Sequence, residues 1–233
     1  MGFYTLLYSR VKKHTNSIIR EYATISQVLF MKLSDSLTMH LIYIPGLGDR
    51  YDIFRTWALK IWEKQYGIQT KLVPMQWKNG DDTLADKLHR VEEALEAIPA
   101  KAQVIIIGES AGASIAIQLL QQKSAHIKVI TLCGKLHRAH TVSYATYARN
   151  PGLRESLLAA DESVKQLTKN QKKRCITIYN QRDPVVSPKD ATLAGVRSIP
   201  QNLTGHIMAI TFLLFIKHRI IGQAIHSLSS SSS

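Results

Sequence analysis

One stretch of the sequence limits the fold more than any other. The β-branched run at 104–107 passes directly into Gly108-Glu109-Ser110-Ala111-Gly112 and then into an apolar helical pattern. A strand that enters a helix with almost no loop must bend sharply, and glycines on both sides of the serine let neighbouring backbone approach closely. The stretch therefore predicts a strand–turn–helix unit that holds Ser110, a candidate nucleophile, in a strained conformation. The alternative is that Ser110 only caps the helix.

Strand and helix patterns alternate from residue 39 to about residue 225. Short apolar runs predict strands at 41–44, 69–75, 104–107, 127–132, 174–179 and 196–199. Apolar residues at helical spacing predict helices at 53–66, 81–98, 111–123, 153–167 and 207–224. Such alternation produces right-handed crossovers, which place parallel strands in one sheet with helices on both faces. We therefore expect an α/β fold with a mostly parallel sheet, whose functional crevice lies beyond the carboxyl ends of the strands.

Three segments depart from this pattern. Residues 1–38 carry apolar side chains at helical spacing with Arg and Lys between them, which predicts a basic amphipathic extension whose apolar face covers one side of the domain. Residues 135–170 contain a polar stretch with tyrosines and then a helix, and they are predicted to form a small cap-like insertion over the strand ends. Residues 226–233 end in a run of serines and are predicted to be a disordered tail. The predicted domain is therefore residues 39–225.

Two further polar residues follow predicted strands nearer the C-terminus. Asp183 comes after the strand at 174–179, and His206 comes after the strand at 196–199. With Ser110 they supply a nucleophile, an acid and a base at the same edge of a parallel sheet. Each also has a plain structural explanation, because Asp183 precedes a proline in a turn and His206 begins a helix.

Three motifs in this order resemble the α/β-hydrolase family: Gly-Glu-Ser-Ala-Gly at 108–112, Asp-Pro-Val-Val at 183–186 and Gly-His at 205–206. The resemblance covers about residues 39–225. It implies an α/β-hydrolase fold with a small helical cap, and a serine hydrolase of the esterase and lipase type. The chain departs from the family in two respects. It lacks the His-Gly-Gly-Gly motif of the hormone-sensitive lipase group. The family's fold also begins with two further strands, and only residues 1–38 are left to supply them.

By this resemblance Ser110 attacks an acyl carbonyl, His206 takes its proton and returns it to the leaving group, and Asp183 orients the imidazole. The backbone N–H groups of Leu47 and Ala111 would form the oxyanion hole. The expected activity is hydrolysis of a carboxylic ester or thioester through an acyl-enzyme intermediate.

Three neighbouring residues are predicted to contact substrate. They are the loop glycines Gly46 and Gly48 and the acidic residue Glu109 before the serine. The alternative for the glycines is that they only make a tight turn.

The sequence predicts neither a metal site nor an organic cofactor. His137 and His140 lie near no cysteine or paired carboxylate at ligand spacing. Gly46-Leu47-Gly48 has Tyr51 where a dinucleotide fingerprint needs its third glycine. The expected partner is therefore a small-molecule ester or thioester.

The charge of the chain raises other classes of partner. Thirty Lys and Arg against 17 Asp and Glu give a net charge of +13. These residues are scattered and no zinc-finger or RNA-binding signature accompanies them, so no nucleic-acid partner is expected. Residues 1–30 could instead contact an anionic membrane, which makes a peripheral lipid-binding protein one alternative. Four charged residues could select an anionic substrate or be plain surface charge: Asp49, Arg50, Arg138 and Arg149.

Two observations bear on localisation. Cys133 and Cys175 lie in or at the end of apolar strand patterns, which is typical of buried reduced thiols, and no secretory signal is evident. The apolar part of the last helix, 207–216, spans ten residues, whereas a membrane span needs about 20. We therefore expect a cytoplasmic protein, with membrane association only through residues 1–30.

The remaining alternative is a catalytically inactive protein that keeps this fold as a binding module.

Overall fold

A parallel sheet of six strands organises the part of the chain that the computed structural model describes, residues 39–100, 102–122 and 127–230. Every neighbouring pair of its strands is parallel. The strands are, in chain order, β1 Met39–Ile44, β2 Gln69–Leu72, β3 Gln103–Glu109, β4 Ile127–Leu132, β5 Cys175–Asn180 and β6 Arg197–Gln201. Across the sheet their order is β2-β1-β3-β4-β5-β6.

Helices cover both faces of this sheet. Those in the described residues are α1 Asp52–Tyr66, α2 Leu84–Glu96, α3 Gly112–Gln122, α4 Tyr144–Arg149, α5 Pro151–Gln166, α6 Lys169–Lys173, α7 Pro188–Ala191, α8 His206–Phe215 and α9 His218–Ser230. Buried side chains of α2, α3 and α5 belong to one apolar cluster, and those of α1, α8 and α9 belong to a second. The predicted fold class, a mostly parallel α/β sheet with helices on both faces, is therefore confirmed.

Strand β1 shows why its sequence is continuously apolar. Ile42 and Ile44 pack in the first cluster, whereas Leu41 and Tyr43 pack in the second. Successive side chains of a strand point to opposite faces, so a sheet covered on both faces needs apolar residues at every position. Polar residues are then left for the loops at the carboxyl ends of the strands.

Strand β2 is shorter than the predicted strand at 69–75. After Leu72 the chain becomes a loop in which the Val73 amide donates to the Tyr43 carbonyl and Trp77 Nε1 donates to the Pro45 carbonyl. Val73 and Trp77 are both buried. The apolar residues beyond Leu72 therefore belong to a buried loop, which apolar patterning does not distinguish from a strand.

The C-terminal helix predicted at 207–224 is in fact two helices. The amides of Ile216 and Lys217 both donate to the carbonyl of Phe212, which ends α8. Helix α9 then begins at His218 and leaves at an angle of 70°. The prediction of one helix was wrong because the apolar spacing continues across the bend.

Helix α9 also extends into the predicted disordered tail 226–233. It continues to Ser230, and Leu228 is 2% exposed within the second cluster. The prediction is therefore wrong for residues 226–230, because burial of Leu228 outweighs the weak helix preference of the serines around it. Residues 231–233 lie outside the described residues.

The segment predicted as a cap-like insertion, 135–170, has two parts. Helix α5 packs against α3 and places Leu153 and Leu157 in the first apolar cluster. It is thus a crossover helix between β4 and β5. Five residues before it border a cavity beside Ser110: Lys135, Thr141, Val142, Ser143 and Thr146. Leu153 and Leu157 of α5 border the same cavity, and the cap itself stays a prediction.

The length and apolarity of the helices bear on whether one of them could cross a membrane. No single helix in the described ranges is long and apolar enough to cross a membrane, and α8 and α9 meet that test only as a pair across their 70° bend. The predicted basic extension 1–38, including the membrane contact through 1–30, lies outside the described residues.

Candidate active site

The turn between β3 and α3 has the strained geometry that its sequence predicts. Ser110 has φ 49°, in the left-handed region that residues with side chains rarely adopt. A Cβ on Gly108 would lie 2.6 Å from Ala113 Cα, and one on Gly112 would lie 2.3 Å from the Ile44 carbonyl oxygen. Packing therefore requires both glycines, and the turn presents the Ser110 side chain at the carboxyl end of β3.

The loop after β1 passes close to this turn. A Cβ on Gly46 would lie 2.8 Å from Ser110 Cβ, and Gly48 has φ 92°. Close packing therefore requires a glycine at 46, and the left-handed backbone conformation favours one at 48. Both agree with the alternative interpretation of these glycines as turn residues. Leu47 between them and Ala111 after the serine border the same cavity as Ser110. Both predicted oxyanion donors therefore lie beside the serine.

Ser110, His206 and Asp183 come together at this edge of the sheet. Ser110 Oγ lies 2.8 Å from His206 Nε2, and His206 Nδ1 lies 2.6 Å from Asp183 Oδ2. The other oxygen of Asp183 accepts from the amides of Val185 and Val186 at 2.9 and 3.0 Å. The side chains of His206 and Asp183 are 9% and 1% exposed. The loops that follow β3, β5 and β6 thus form one hydrogen-bonded relay.

The surroundings of Asp183 favour its ionised form. Burial alone would raise its pKa, but hydrogen bonds from His206 and from the Val186 and Val185 amides outweigh burial and lower the pKa. An ionised carboxylate accepts the Nδ1 proton of His206, which leaves Nε2 free to accept a proton from Ser110.

Asn180, which the sequence analysis did not single out, links two of these loops. Asn180 is buried, with 1% of its surface exposed. Its Nδ2 donates to the Gly205 carbonyl at 3.0 Å, and its Oδ1 accepts from the Leu203 amide at 3.0 Å. Asn180 therefore ties the backbone before His206 to the strand that leads to Asp183. The sequence signal that could have identified Asn180 is a polar residue at the end of an apolar strand.

Glu109 has protein partners on both carboxylate oxygens. The residue is 3% exposed, Arg55 donates to the two oxygens at 2.8 and 2.6 Å, and the Tyr43 hydroxyl donates at 2.5 Å. Burial, with the Glu109 charge, raises the pKa of Tyr43, so this hydroxyl keeps its proton. These contacts give Glu109 an anchoring role. Glu109 also borders a cavity beside Ser110, and its predicted contact with substrate stays a prediction.

Arg55 extends this anchor to the loop after β1. Its guanidinium donates to the carbonyls of Gly48 and Leu47 at 3.1 and 3.4 Å and pairs with Asp52 at 2.7 Å. Burial alone would lower the pKa of Arg55, but the hydrogen bonds and charge of Glu109 raise it, so the side chain stays charged. One buried ion pair therefore sets the position of Leu47 relative to the serine turn. No sequence pattern marked Arg55 for this role.

We expect Arg55→Met to lower the free energy of unfolding by about 3–5 kcal/mol, because it leaves the buried Glu109 carboxylate without its ion-pair partner. Urea unfolding measures the change. Adding Glu109→Gln to this variant should recover part of the loss, since no buried charge then stays unpaired. Lys60→Met on the exposed side of α1 is the matched control. Equal stability of Arg55→Met and wild type would contradict the anchoring role.

Two cavities open beside Ser110. Leu47, Ser110 and Val185 border both of them. The smaller cavity, of about 180 Å³, has a mixed wall. Polar residues that border it include Lys135, Thr141, Ser143 and Thr146, and apolar residues include Val142, Leu153, Leu157 and Val186. The larger cavity, of about 470 Å³, also touches His206, and most of its wall is apolar: Phe54, Ile207, Ile210, Leu214 and Phe215. The serine therefore lies between a small cavity of mixed lining and an apolar groove.

Two of the charged residues considered for an anionic substrate have partners within the protein. Arg138 pairs with Asp190 at 2.6 Å, and Asp190 also pairs with Lys135 at 3.0 Å. The Arg50 guanidinium lies over the Tyr51 ring, 4.8 Å from its centre. These contacts favour a structural role for both arginines.

The cysteines are poorly suited to compete with Ser110 as nucleophiles. Cys133 and Cys175 are buried free thiols, as predicted, and burial raises the pKa of each to about 12. Both thiols are therefore protonated at neutral pH. Within the described ranges, no group of three or more His, Cys, Asp or Glu side chains is placed to hold a metal ion.

Comparison with known proteins bears on the fold. No protein-family model and no curated protein matches the chain. The chain is similar to Est1E from Butyrivibrio proteoclasticus, with 13% identity, a TM-score of 0.57 and coverage of 82% of this chain and 90% of that one. It is similar to the ydeN gene product from B. subtilis, with 13% identity, a TM-score of 0.56 and coverage of 83% and 99%.

A third similar structure is a metagenomic carboxyl esterase, with 16% identity and a TM-score of 0.55. The match covers 73% of this chain and 65% of the esterase. The likeness to these structures agrees with the sheet of six parallel strands and its covering helices. The chain therefore has the α/β-hydrolase fold.

Proposed function

We propose that this protein is a serine hydrolase that cleaves a carboxylic ester or thioester through an acyl-enzyme intermediate. The observation that carries the proposal is the relay from Ser110 Oγ through His206 to Asp183, with distances of 2.8 and 2.6 Å. A strained serine at the mouth of two cavities is costly to maintain without a function. The relay therefore favours an active enzyme over an inactive binding module.

In the acylation step Ser110 Oγ attacks the carbonyl carbon while its proton passes to His206 Nε2. The carbonyl oxygen becomes an oxyanion, which the N–H groups of Leu47 and Ala111 would stabilise by about 3 kcal/mol each. His206 then gives its proton to the leaving oxygen or sulfur as that bond breaks, and the acyl group stays on Ser110. Asp183 stabilises the imidazolium throughout.

In the deacylation step a water molecule replaces the leaving group. His206 Nε2 takes one proton from the water as its oxygen attacks the acyl carbon. Collapse of the second oxyanion breaks the bond to Ser110 Oγ, which recovers the proton from His206. The carboxylic acid leaves and the relay is restored.

Ester chemistry is supported by the names of several solved neighbours. They include a carboxyl esterase, a methylesterase from Arabidopsis and a polyneuridine aldehyde esterase. The Ser110 relay supplies the acid and base that cleavage of such a bond requires.

A fluorophosphonate probe tests the proposal because it reacts much faster with an activated serine than with other side chains. We expect it to label the folded wild-type protein, with the adduct mapped to Ser110 by peptide mass spectrometry. We also expect the protein to hydrolyse p-nitrophenyl acetate. Heat-denatured protein is the control, since the relay exists only in the folded state. A folded protein that is neither labelled nor active on a panel of esters and thioesters would favour the binding module.

A further inference from the structure

The two cavities beside Ser110 are unequal in size as well as in lining. The apolar groove of about 470 Å³ lies within the range of small-molecule pockets, about 300–1,000 Å³, whereas the small cavity of about 180 Å³ lies below it. The groove therefore has room for the larger group of a substrate, and the small cavity has room only for a short one.

The position of His206 decides which part of the substrate enters which cavity. In the tetrahedral intermediate the carbon carries Ser110 Oγ, the oxyanion, the acyl substituent and the leaving atom. The leaving atom must lie near His206 Nε2, which gives it a proton. Ser110 borders both cavities, whereas His206 borders the apolar groove and not the small cavity. The leaving group therefore extends into the groove, and the acyl substituent points into the small cavity.

Among the described residues, the groove presents no unpaired charge to such a leaving group. Its two ionised wall residues, Arg55 and Glu109, pair with each other. Phe54 and Ile207 also border it, and they are 55% and 62% exposed. An apolar chain would therefore enter past apolar side chains, and its burial there is favourable.

We propose that the substrate is an ester or thioester of a short acyl group with a larger, apolar alcohol or thiol. This inference rests on the proposed function. It predicts that the enzyme distinguishes two esters of identical atomic composition by the side of the ester bond on which the long chain lies.

Hexyl acetate and methyl heptanoate are such a pair, since they are isomers with the same carbon count. We expect kcat/KM for hexyl acetate to exceed that for methyl heptanoate at least tenfold. Butyl acetate and methyl pentanoate form a second pair with a smaller preference of the same sign. Along the acetate series kcat/KM should rise about two- to fourfold per added methylene, and the upper value corresponds to about 0.8 kcal/mol.

A substitution that fills the groove tests its location. Thr211 borders the groove from the exposed side of α8, so Thr211→Trp has a low risk of unfolding the protein. We expect it to reduce the ratio of kcat/KM for hexyl acetate over methyl acetate at least tenfold. Met208→Trp is the matched control, because Met208 is exposed on the same helix and does not border the groove. It should keep the wild-type ratio.

The outcomes separate this inference from the proposed function. Equal rates for the isomers, or a preference for methyl heptanoate, would overturn the assignment of the cavities while leaving a serine hydrolase in place. An unchanged ratio in Thr211→Trp would overturn the location of the leaving group. Absence of both fluorophosphonate labelling and ester cleavage would instead remove the proposed function itself.

Discussion

Ser110→Ala is expected to lower kcat for ester hydrolysis by about 10⁶-fold and to abolish fluorophosphonate labelling. Without the hydroxyl no acyl-enzyme forms, so His206 and Asp183 have no group to activate. The oxyanion donors and the cavities remain, and they account for the small activity that should persist over the uncatalysed reaction. Steady-state hydrolysis of hexyl acetate measures the loss.

Ser114→Ala is the matched control for this variant. Ser114 is a buried serine one turn further along α3, and its hydroxyl bonds to the Ala111 carbonyl and to Ser156 and not to His206. It should keep wild-type activity and labelling. Removal of a nucleophile typically leaves far less than about 1% of wild-type kcat. If Ser110→Ala kept more than this, another residue would have to be the nucleophile.

Asp183→Asn is expected to lower kcat by about 10⁴-fold with little change in the overall fold. The asparagine amide can donate to His206 Nδ1, which would move the imidazole proton to Nε2. His206 then cannot accept the proton of Ser110, although the distances stay similar. Steady-state kinetics and circular dichroism together measure the loss and the fold. Asp81→Asn at an exposed position is the control and should be fully active. Wild-type kcat in Asp183→Asn would contradict the relay.

Asp183→Asn should also change how the free energy of unfolding depends on pH. Folding lowers the pKa of Asp183, so its carboxylate adds stability above its unfolded pKa of about 3.9. That stability is lost as the pH falls through the lower folded value. The difference in free energy of unfolding between wild type and Asp183→Asn should therefore be largest near neutral pH and shrink in acid. Urea unfolding across pH measures it, and a difference that grew on acidification would contradict an ionised Asp183.

The serine turn could be predicted because its constraints are local. The steric contacts that require Gly108 and Gly112 arise wherever a strand meets a helix without a loop, so the pattern around Ser110 indicates the geometry directly. The alternation of apolar strands and amphipathic helices is equally local, and it predicted the parallel sheet. The chain order of Asp183 and His206 after their strands followed from the same alternation.

Other features depend on contacts between distant parts of the chain. Arg55 and Glu109 are 54 residues apart in sequence, and nothing in the pattern around either residue indicates their pairing. The break at Ile216 and Lys217 and the burial of Leu228 arise from packing of α8 and α9 on the sheet. Apolar spacing records which residues are buried but not which surfaces meet.

The sequence by itself determined the sheet, the strained turn and the three residues of the relay. These depend on backbone sterics and on the alternation of buried and exposed positions, which short stretches encode. Only the tertiary structure decided the distances within the relay, the anchor between Arg55 and Glu109, and the two unequal cavities beside Ser110. The physical reason is that a cavity and a buried ion pair exist only where several elements, distant in the chain, pack against one another.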